Sequence, residues 1–547
     1  MVAVGFAAGS SVMNDLLVYP DGALLAGGYA VPLVADQPAG PPQLALARYD
    51  FQGRLDPTFG IGGQVFSTPR GLKNALDMAM FDDGSFVVIG SSVSGYSTRA
   101  NLLVKFTPGG KVDVGFGSSG RVGLPVSASA VKVGAGNMIY VAGQQERDGA
   151  LASYLPDGRI NPDFGTGGIF STATVFDPDI DATFYFDSMA IDADGGIYVA
   201  GSHRDTPVTA GEAELDVRAL RVNSAGAHEP SFGGAGGFLS VRRDVLDASQ
   251  TIAHEAAAAA RTAAPRNVAV VTGVAYGGIA IGHDGLPLIV GSTDGGQQAF
   301  LSRVTPSGEI DATFGEDGVA DLRVRPARFP VANSLQVQPD GSVVFAGVTE
   351  RSGRNVFSVE RLTFDGATDT TYGDQGVMSV PYRKLPGDAR TAAIAPDGSL
   401  LVGGTVGSVE PGGANDSRRF AVTRLFAEDG PAGQLIPKTL RTSQAGFLFD
   451  VIWRDQEGVE ALTIDGGDLR LYGNDDVARR AKLTSRIVSL DGKQVIARYR
   501  LPAIDGIAFT RADNGTYLVK VLGGQVFDTE GAAATKNTLG TIRIRIA

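Results

Sequence analysis

Two phrases alternate through the first 430 residues, and together they restrict the possible fold more than any other feature. The first reads LARYDFQGRLDPTFGIGGQV, LVKFTPGGKVDVGFGSSGRV, LASYLPDGRINPDFGTGGIF, LRVNSAGAHEPSFGGAGGF, LSRVTPSGEIDATFGEDGV and LTFDGATDTTYGDQGV. Its aromatic residues before glycine are Phe59, Phe116, Phe164, Phe232, Phe314 and Tyr372, separated by 57, 48, 68, 82 and 58 residues. That period is too long for helical or leucine-rich solenoids. The second phrase reads YPDGALLAGG, FDDGSFVVIG, VGAGNMIYVAG, DADGGIYVAG, GHDGLPLIVG, QPDGSVVFAG and APDGSLLVGG. Each copy is an apolar strand, a turn of Asp and Gly, and a second β-rich strand stopped by glycine, which is the pattern of a hairpin. So many turns account for 75 glycines in 547 residues. The strand beginning LARY or LSRV and the one after the FGxxG turn, such as Gln64-Val65-Phe66, bring each unit to four strands. Seven such units predict an all-β chain whose residues 1–430 form a seven-bladed β-propeller.

Comparison of the copies within the chain exposes a charge register. Arg48, Lys105, Arg221, Arg303 and Arg361 each precede an acid by eight residues, namely Asp56, Asp113, Glu229, Asp311 and Asp369. In the remaining copy both members are neutral, Ser153 and Asn161. Bases and acids that appear and vanish together predict direct contact, with the acid folded back by the turn and the aromatic entering the core between blades. The competing reading, a ring of six bases including Arg424 that captures an anion, gives no reason for the matching acids. Val2-Ala3-Val4 precedes the first hairpin as Gln64-Val65-Phe66 precedes the second. It is therefore expected to complete the first blade, with the ring closed by packing of the first blade on the seventh.

The pairing of a "DG" hairpin with RYxxxGxLDxTFGxxG resembles the delta-60 repeat of exported bacterial proteins. The resemblance covers roughly residues 14–426 and is best around Asp56 and Asp311, while AHEPSFG around Glu229 departs from it. It implies a propeller on a secreted or surface protein and carries no catalytic residues with it. After residues 431–437, a linker containing proline and glycine, the repeat does not resume. Residues 438–547 show short strands at regular spacing, expected at Phe447-Trp453, Leu469-Tyr472, Thr484-Ser489, Gln494-Leu501, Thr516-Leu522 and Thr541-Ile546. This spacing predicts a β-sandwich with Trp453 in its core. The segments FDVIWRDQEGVEALTIDGGDLRLYG and ADNGTYLVKVLGGQVFDTEG are similar to an Ig-like module of large exported proteins, especially of planctomycete type. Asp455, Glu457, Asp468 and Asp528 are its calcium candidates, set against a reading as solvated turn carboxylates.

Composition narrows the chemistry. From Lys438 onward 16 Lys and Arg face 13 Asp and Glu, whereas the preceding part has 31 against 46, a net charge of −15. That field repels phosphate backbones, so nucleic acid is not an expected partner. With no cysteine there are no disulfides, thiolate metal sites or cysteine nucleophiles. No apolar run reaches the roughly 20 residues of a membrane helix, and MVAVGFAAGSSV lacks a basic region of the kind that opens an export signal. The alanine-rich stretch DASQTIAHEAAAAARTAAPRN predicts a helix inserted in the fifth unit. Its His254-Glu255 does not continue as H-E-x-x-H, because Ala258 holds the second histidine's place. Asp192-Ala193-Asp194-Gly195 opens like a calcium loop but aligns with the hairpin turns and lacks the closing glutamate. The four histidines lie in different units, and G-x-S-x-G and P-loop phrases are absent. The expected function is a non-catalytic binding or adhesion scaffold, extracellular or on the cell surface, for a protein or glycan ligand. The alternatives are a hydrolase or lyase using carboxylates in the propeller funnel and a cytosolic assembly platform.

Overall fold

The computed structural model describes residues 2–546 except 5, 7, 35–36, 39, 68, 93–99, 176–181, 206–214, 234–236, 242–276, 283, 294–297, 328–331, 352, 371, 383–384, 397, 408–415, 426–431, 437, 456–457, 474–476, 505, 523–524, 530–533 and 535–537. The helix expected in the fifth unit, with His254 and Glu255, lies outside the described residues, as does Glu457. Local chemistry dictates the hairpins. In the first, Ala8–Val18 pairs with Leu24–Val34. Asp21 Oδ1 accepts the Ala23 N–H at 2.9 Å, and Gly22 takes a φ of 79°, open to a residue without Cβ. The third strand, Gln43–Tyr49, and the fourth, Gln64–Ser67, complete that sheet.

Residues 2–425 form six antiparallel sheets. Five have four or five strands, and the sixth has seven because two four-stranded units share one long strand, Arg121–Val133. Its first residues pair with Ala100–Phe106 and its last with Ile139–Gln145, and the register breaks between Gly123 and Ala128. Consecutive units pack through apolar clusters: Phe59 of the first with Phe86 and Phe106 of the second, Phe164 of the third with Phe186 and Val222 of the fourth, and so on along the chain. One cluster unites the two extremes, joining Met13, Leu16 and Ala45 to Leu401, Phe420 and Val422. The units therefore return on themselves as a ring.

The N-terminal strand corrects an expectation. Val2–Val4 does not complete the first sheet; it pairs antiparallel with Phe420–Val422 and becomes the outermost strand of the last one. The ring is thus joined by a hydrogen-bonded ladder as well as by packing, and nearly the whole repeat region lies between the two strands that meet.

The C-terminal part has two sheets over one core. One holds Ala432–Leu435, Gly446–Arg454, Gln494–Pro502 and Lys482–Val488, and the other holds Thr439–Leu440, Thr538–Ile544, Gly515–Val521, Leu469–Tyr472 and Ala478–Arg480. Trp453 is fully buried at the centre, its Nε1 donating to Tyr499 Oη at 3.3 Å. Ile542 and Ile544 face inward while Arg543 and Arg545 face water, as alternation requires. Residues expected as linker are structured, because Ala432–Leu435 forms an edge strand against Val451–Arg454. Gln434 Nε2 also donates to Asp21 O at 3.1 Å, and the Arg454 guanidinium lies 5.6 Å from the Phe51 ring centroid, so this module touches the first hairpin.

Candidate functional site

The charge register resolves into contacts on the third strand of each unit. Arg48–Asp56 stand at 3.4 Å, Lys105–Asp113 at 3.7 Å, Arg303–Asp311 at 2.7 Å and Arg361–Asp369 at 2.6 Å, and Arg221 bonds Glu229. In the neutral copy Asn161 Nδ2 donates to Ser153 Oγ at 3.4 Å. A partner that sequence comparison missed is the hairpin acid: Asp192 lies 2.7 Å from Arg221, Asp284 3.7 Å from Arg303 and Asp21 4.0 Å from Arg48. Asp192, which the sequence compares with a calcium loop, also accepts the N–H groups of Asp194 and Gly196 on its other oxygen. The acids additionally fix their own turns, Asp56 accepting from the Thr58 N–H and hydroxyl, and Asp311 from those of Thr313.

The aromatics at Phe59, Phe116, Phe164, Phe232, Phe314 and Tyr372 are buried, and the turns that carry them dock on the following unit. The glycine after the aromatic donates its N–H to the turn that follows the third strand of the next unit: Gly60 to Gly109 O, Gly117 to Asp157 O, Gly165 to Ala225 O, Gly233 to Ser307 O and Gly315 to Asp365 O. The receiving turn needs glycine, since a Cβ at Gly366 would stand 2.9 Å from the Phe314 ring at a φ of 84°. Bases and aromatics then stack, with Arg361 4.9 Å from the Tyr372 centroid and Arg303 5.1 Å from that of Phe314.

A second set of positions, not singled out from the sequence, lies on the innermost strands. The residue seven places before each hairpin glycine is Asp15, Asp77, Ser129, Ser188, Gly278, Ser334 or Thr391, always small or carrying a short polar side chain. These groups link units across the inner ring. Asp15 accepts the Met78 N–H at 2.9 Å, Asp77 the Val131 N–H at 2.7 Å and Ser188 the Ile279 N–H at 3.2 Å, while Ser129 donates to Phe186 O. Thr391 Oγ1 reaches Asp15 from the last unit at 3.4 Å. A constant offset of small polar residues within apolar strands was the available signal.

Asn333 comes from the opposite side of the ring and donates through Nδ2 to both Asp15 Oδ1 and Asp77 Oδ1 at 2.8 Å, with Lys132 Nζ 3.5 Å from its Oδ1. Burial, and then the charge of Asp77, push the Asp15 carboxyl well above the usual range, against the pull of Lys132. Enclosure beside a second carboxylate thus favours the protonated form of Asp15.

The described calcium candidates of the C-terminal module are buried rather than solvated. Asp455, Asp468 and Asp528 are 5%, 0% and 6% exposed. Asp468 Oδ2 accepts from Tyr499 Oη at 2.5 Å and from the Asp465 N–H at 2.9 Å, and burial pushes its carboxyl up to about 7. Asp455 Oδ1 accepts the Gly458 N–H at 3.3 Å. Among the described residues no three acids or histidines gather in a metal-binding group, and no helix is long and apolar enough to cross a membrane.

Two stretches, residues 20–59 and 338–372, match the family model of a β-propeller domain of unknown function, DUF5122. Each contains one hairpin turn with its third strand and aromatic turn. No curated protein matches the chain. Among solved structures, a fungal alcohol oxidase of the AA5 family in complex with copper is 13% identical, with a TM-score of 0.37, over 99% of both chains. An ulvan lyase of polysaccharide lyase family PL25 is 13% identical with a TM-score of 0.40, over 77% of this chain and 96% of that one. Regucalcin, a calcium-binding protein from Agrobacterium tumefaciens, is 12% identical with a TM-score of 0.30, over 63% and 88%. The family match and the ring of packed antiparallel sheets make the repeat region a β-propeller.

Proposed function

We propose that this chain is a non-catalytic binding scaffold of the delta-60 type, in which a seven-bladed propeller over residues 1–430 is followed by an Ig-like module over 438–547. It is secreted or displayed at a cell surface and takes a protein or glycan ligand. The observation that carries this reading is the use made of the repeat's charged groups. Each base meets the acid of its own turn, and the innermost carboxylates accept backbone N–H groups of the neighbouring unit, so both sets work as fasteners of a rigid frame. A frame of that kind suits presentation of loops to a partner. Glycan and protein arrays probed with the full chain are expected to give saturable binding without turnover.

The alternative, a secreted polysaccharide- or peptide-processing hydrolase or lyase working in the funnel, draws support from one feature, the Asp15–Asp77 pair with its raised carboxyl. Turnover of any polysaccharide or peptide by the purified chain, lost in Asp15→Asn or Asp77→Asn, would favour it over the scaffold. Calcium at the Asp455, Glu457, Asp468 and Asp528 pole belongs with the scaffold reading of the C-terminal module. It predicts a melting temperature raised by calcium chloride and lowered again by chelator.

A further inference from the structure

The two copies of the repeat that depart from the common pattern are neighbours, and a groove of about 490 Å³ lies between them. The third unit is the one whose register pair is neutral, Ser153 with Asn161. The fourth contains AHEPSFG, where His228 occupies a place held by Leu55, Val112, Ile160, Ile310 or Thr368 in the other units and paired to the same strand position. Its turn is also one residue longer. The glycine that packs on this residue comes nine positions later at Gly237, instead of eight as in Leu55 with Gly63 or Ile310 with Gly318. His228 Nε2 donates to Gly237 O at 2.6 Å, and the ring stacks on Phe170 at 6.3 Å and 21°. Phe170 stacks in turn on Phe186. With Nε2 committed to a carbonyl, Nδ1 is the ring nitrogen left to meet a ligand.

The remaining lining decides what fits. Gln145, Thr166, Ser171 and Thr174 supply amide and hydroxyl groups, Ile169 and Val175 supply apolar surface, and among the described residues no Asp, Glu, Lys or Arg takes part. The Gln145 carboxamide and the Thr166 hydroxyl have no protein partner among the described residues. An apolar ligand would leave these polar groups uncovered by any hydrogen bond, and a charged one would find no counter-ion among the described lining residues. A neutral sugar offers both faces this lining asks for, a ring of C–H groups for an aromatic and hydroxyls for amide and hydroxyl partners. The volume falls within the roughly 300–1,000 Å³ of ordinary ligand pockets. We infer that the groove between the third and fourth units is a binding site for a neutral mono- or disaccharide, with His228 as its aromatic wall and Gln145 and Thr166 as its polar contacts. The inference rests on the scaffold reading and narrows its ligand class.

The test uses the full chain and a panel of methyl glycosides of glucose, galactose, mannose and fucose, with glucuronic acid and N-acetylneuraminic acid as charged controls. Saturation-transfer NMR and calorimetry are expected to find one or more neutral sugars bound and the acids not. Gln145→Ala and Thr166→Val, both outside the core, should weaken binding by about tenfold each without moving the melting temperature. His228→Leu, which restores the residue type of the other units, should abolish it. Binding that ignores all three variants, equal binding of the acidic sugars, or no sugar bound at all would overturn the site. If a protein partner is nonetheless captured saturably, the scaffold reading stands while this inference falls. Conversion of the bound sugar would sink the scaffold reading itself.

Discussion

Arg361 and Asp369 form one of the most enclosed register pairs, with 5% and 11% of their side chains exposed. At that burial an orphaned charge costs more than the intact pair contributes, about 3–5 kcal/mol when one partner is removed. Arg361→Met should therefore shift the urea unfolding midpoint sharply. Arg361→Ser with Asp369→Asn, which copies the third unit's neutral pair into the sixth, should recover most of the loss, and equal losses in the single and double variants would show that the two side chains do not depend on each other. Lys105–Asp113, exposed at 15% and 36%, should yield only about 0–1 kcal/mol in the same experiment. The titrations run in opposite directions at two sets of acids. Burial raises Asp56 and Asp311, but hydrogen bonds from Thr58 and Thr313 and the adjacent arginines outweigh it and hold both carboxyls below the ordinary 3.8. Their contribution is complete above that value and is lost as pH falls through the folded one. Asp468 behaves inversely. Its carboxyl is raised from 3.8 to about 7 by burial, so its contribution is present below 3.8 and is lost as pH rises towards 7. Melting temperatures between pH 4 and 8 should fall for the native chain relative to Asp468→Asn, and parallel curves would assign the slope to other groups.

Turn and strand each have their own weak point. Gly366 combines a φ of 84° with a would-be Cβ contact at 2.9 Å to the Phe314 ring, so Gly366→Ala should destabilise by more than the backbone term of about 1–2 kcal/mol, measurable by thermal melting. At Gly62, also at positive φ but in open space, the same change carries only the backbone term. Ala3→Pro removes a donor from the strand that joins the ring and should cost about 0.5–1.5 kcal/mol per lost ladder bond. It should also make the last sheet, Arg419–Leu425 above all, the first site cut in limited proteolysis. The hairpins were legible because their turn chemistry is local, and the register pairs because six copies could be compared within one chain. The destination of Val2–Val4 was misread, since its pairing with Phe420–Val422 leaves no local mark. Phase alone could have shown it: Gln64–Ser67 closes the sheet whose other strands precede it, so a strand before the first hairpin belongs to the sheet before the first, which in a ring is the last. Asp15 and Asp77 escaped notice because a single polar residue in an apolar strand looks like noise until its constant offset from the hairpin glycine is seen. Ala432–Leu435 escaped because its proline- and glycine-bearing surroundings read as linker.

Across the whole molecule, Asn333 ties the sixth unit to the first and second through Asp15 and Asp77 and lies beside Lys132 of the third. Asn333→Ala should leave two enclosed carboxyls facing each other without a shared donor and lower stability by about 1–3 kcal/mol. Because Asp15 is already raised, the deficit should widen as pH rises, and a pH-independent loss would locate the effect in packing alone. The strand that joins the ring has a consequence during synthesis. Val2–Val4 is made before the first hairpin and its partner Phe420–Val422 after the last, so at about 5–20 residues per second the first waits roughly 20–80 s for the second. Through that interval the nascent chain is a growing crescent with an unpaired edge at each end. Neighbouring chains on one polysome carry the same two edges, each complementary to the other's. The interval between making one strand and making its mate is thus an exposure in time, which the strength of the finished ladder does nothing to shorten.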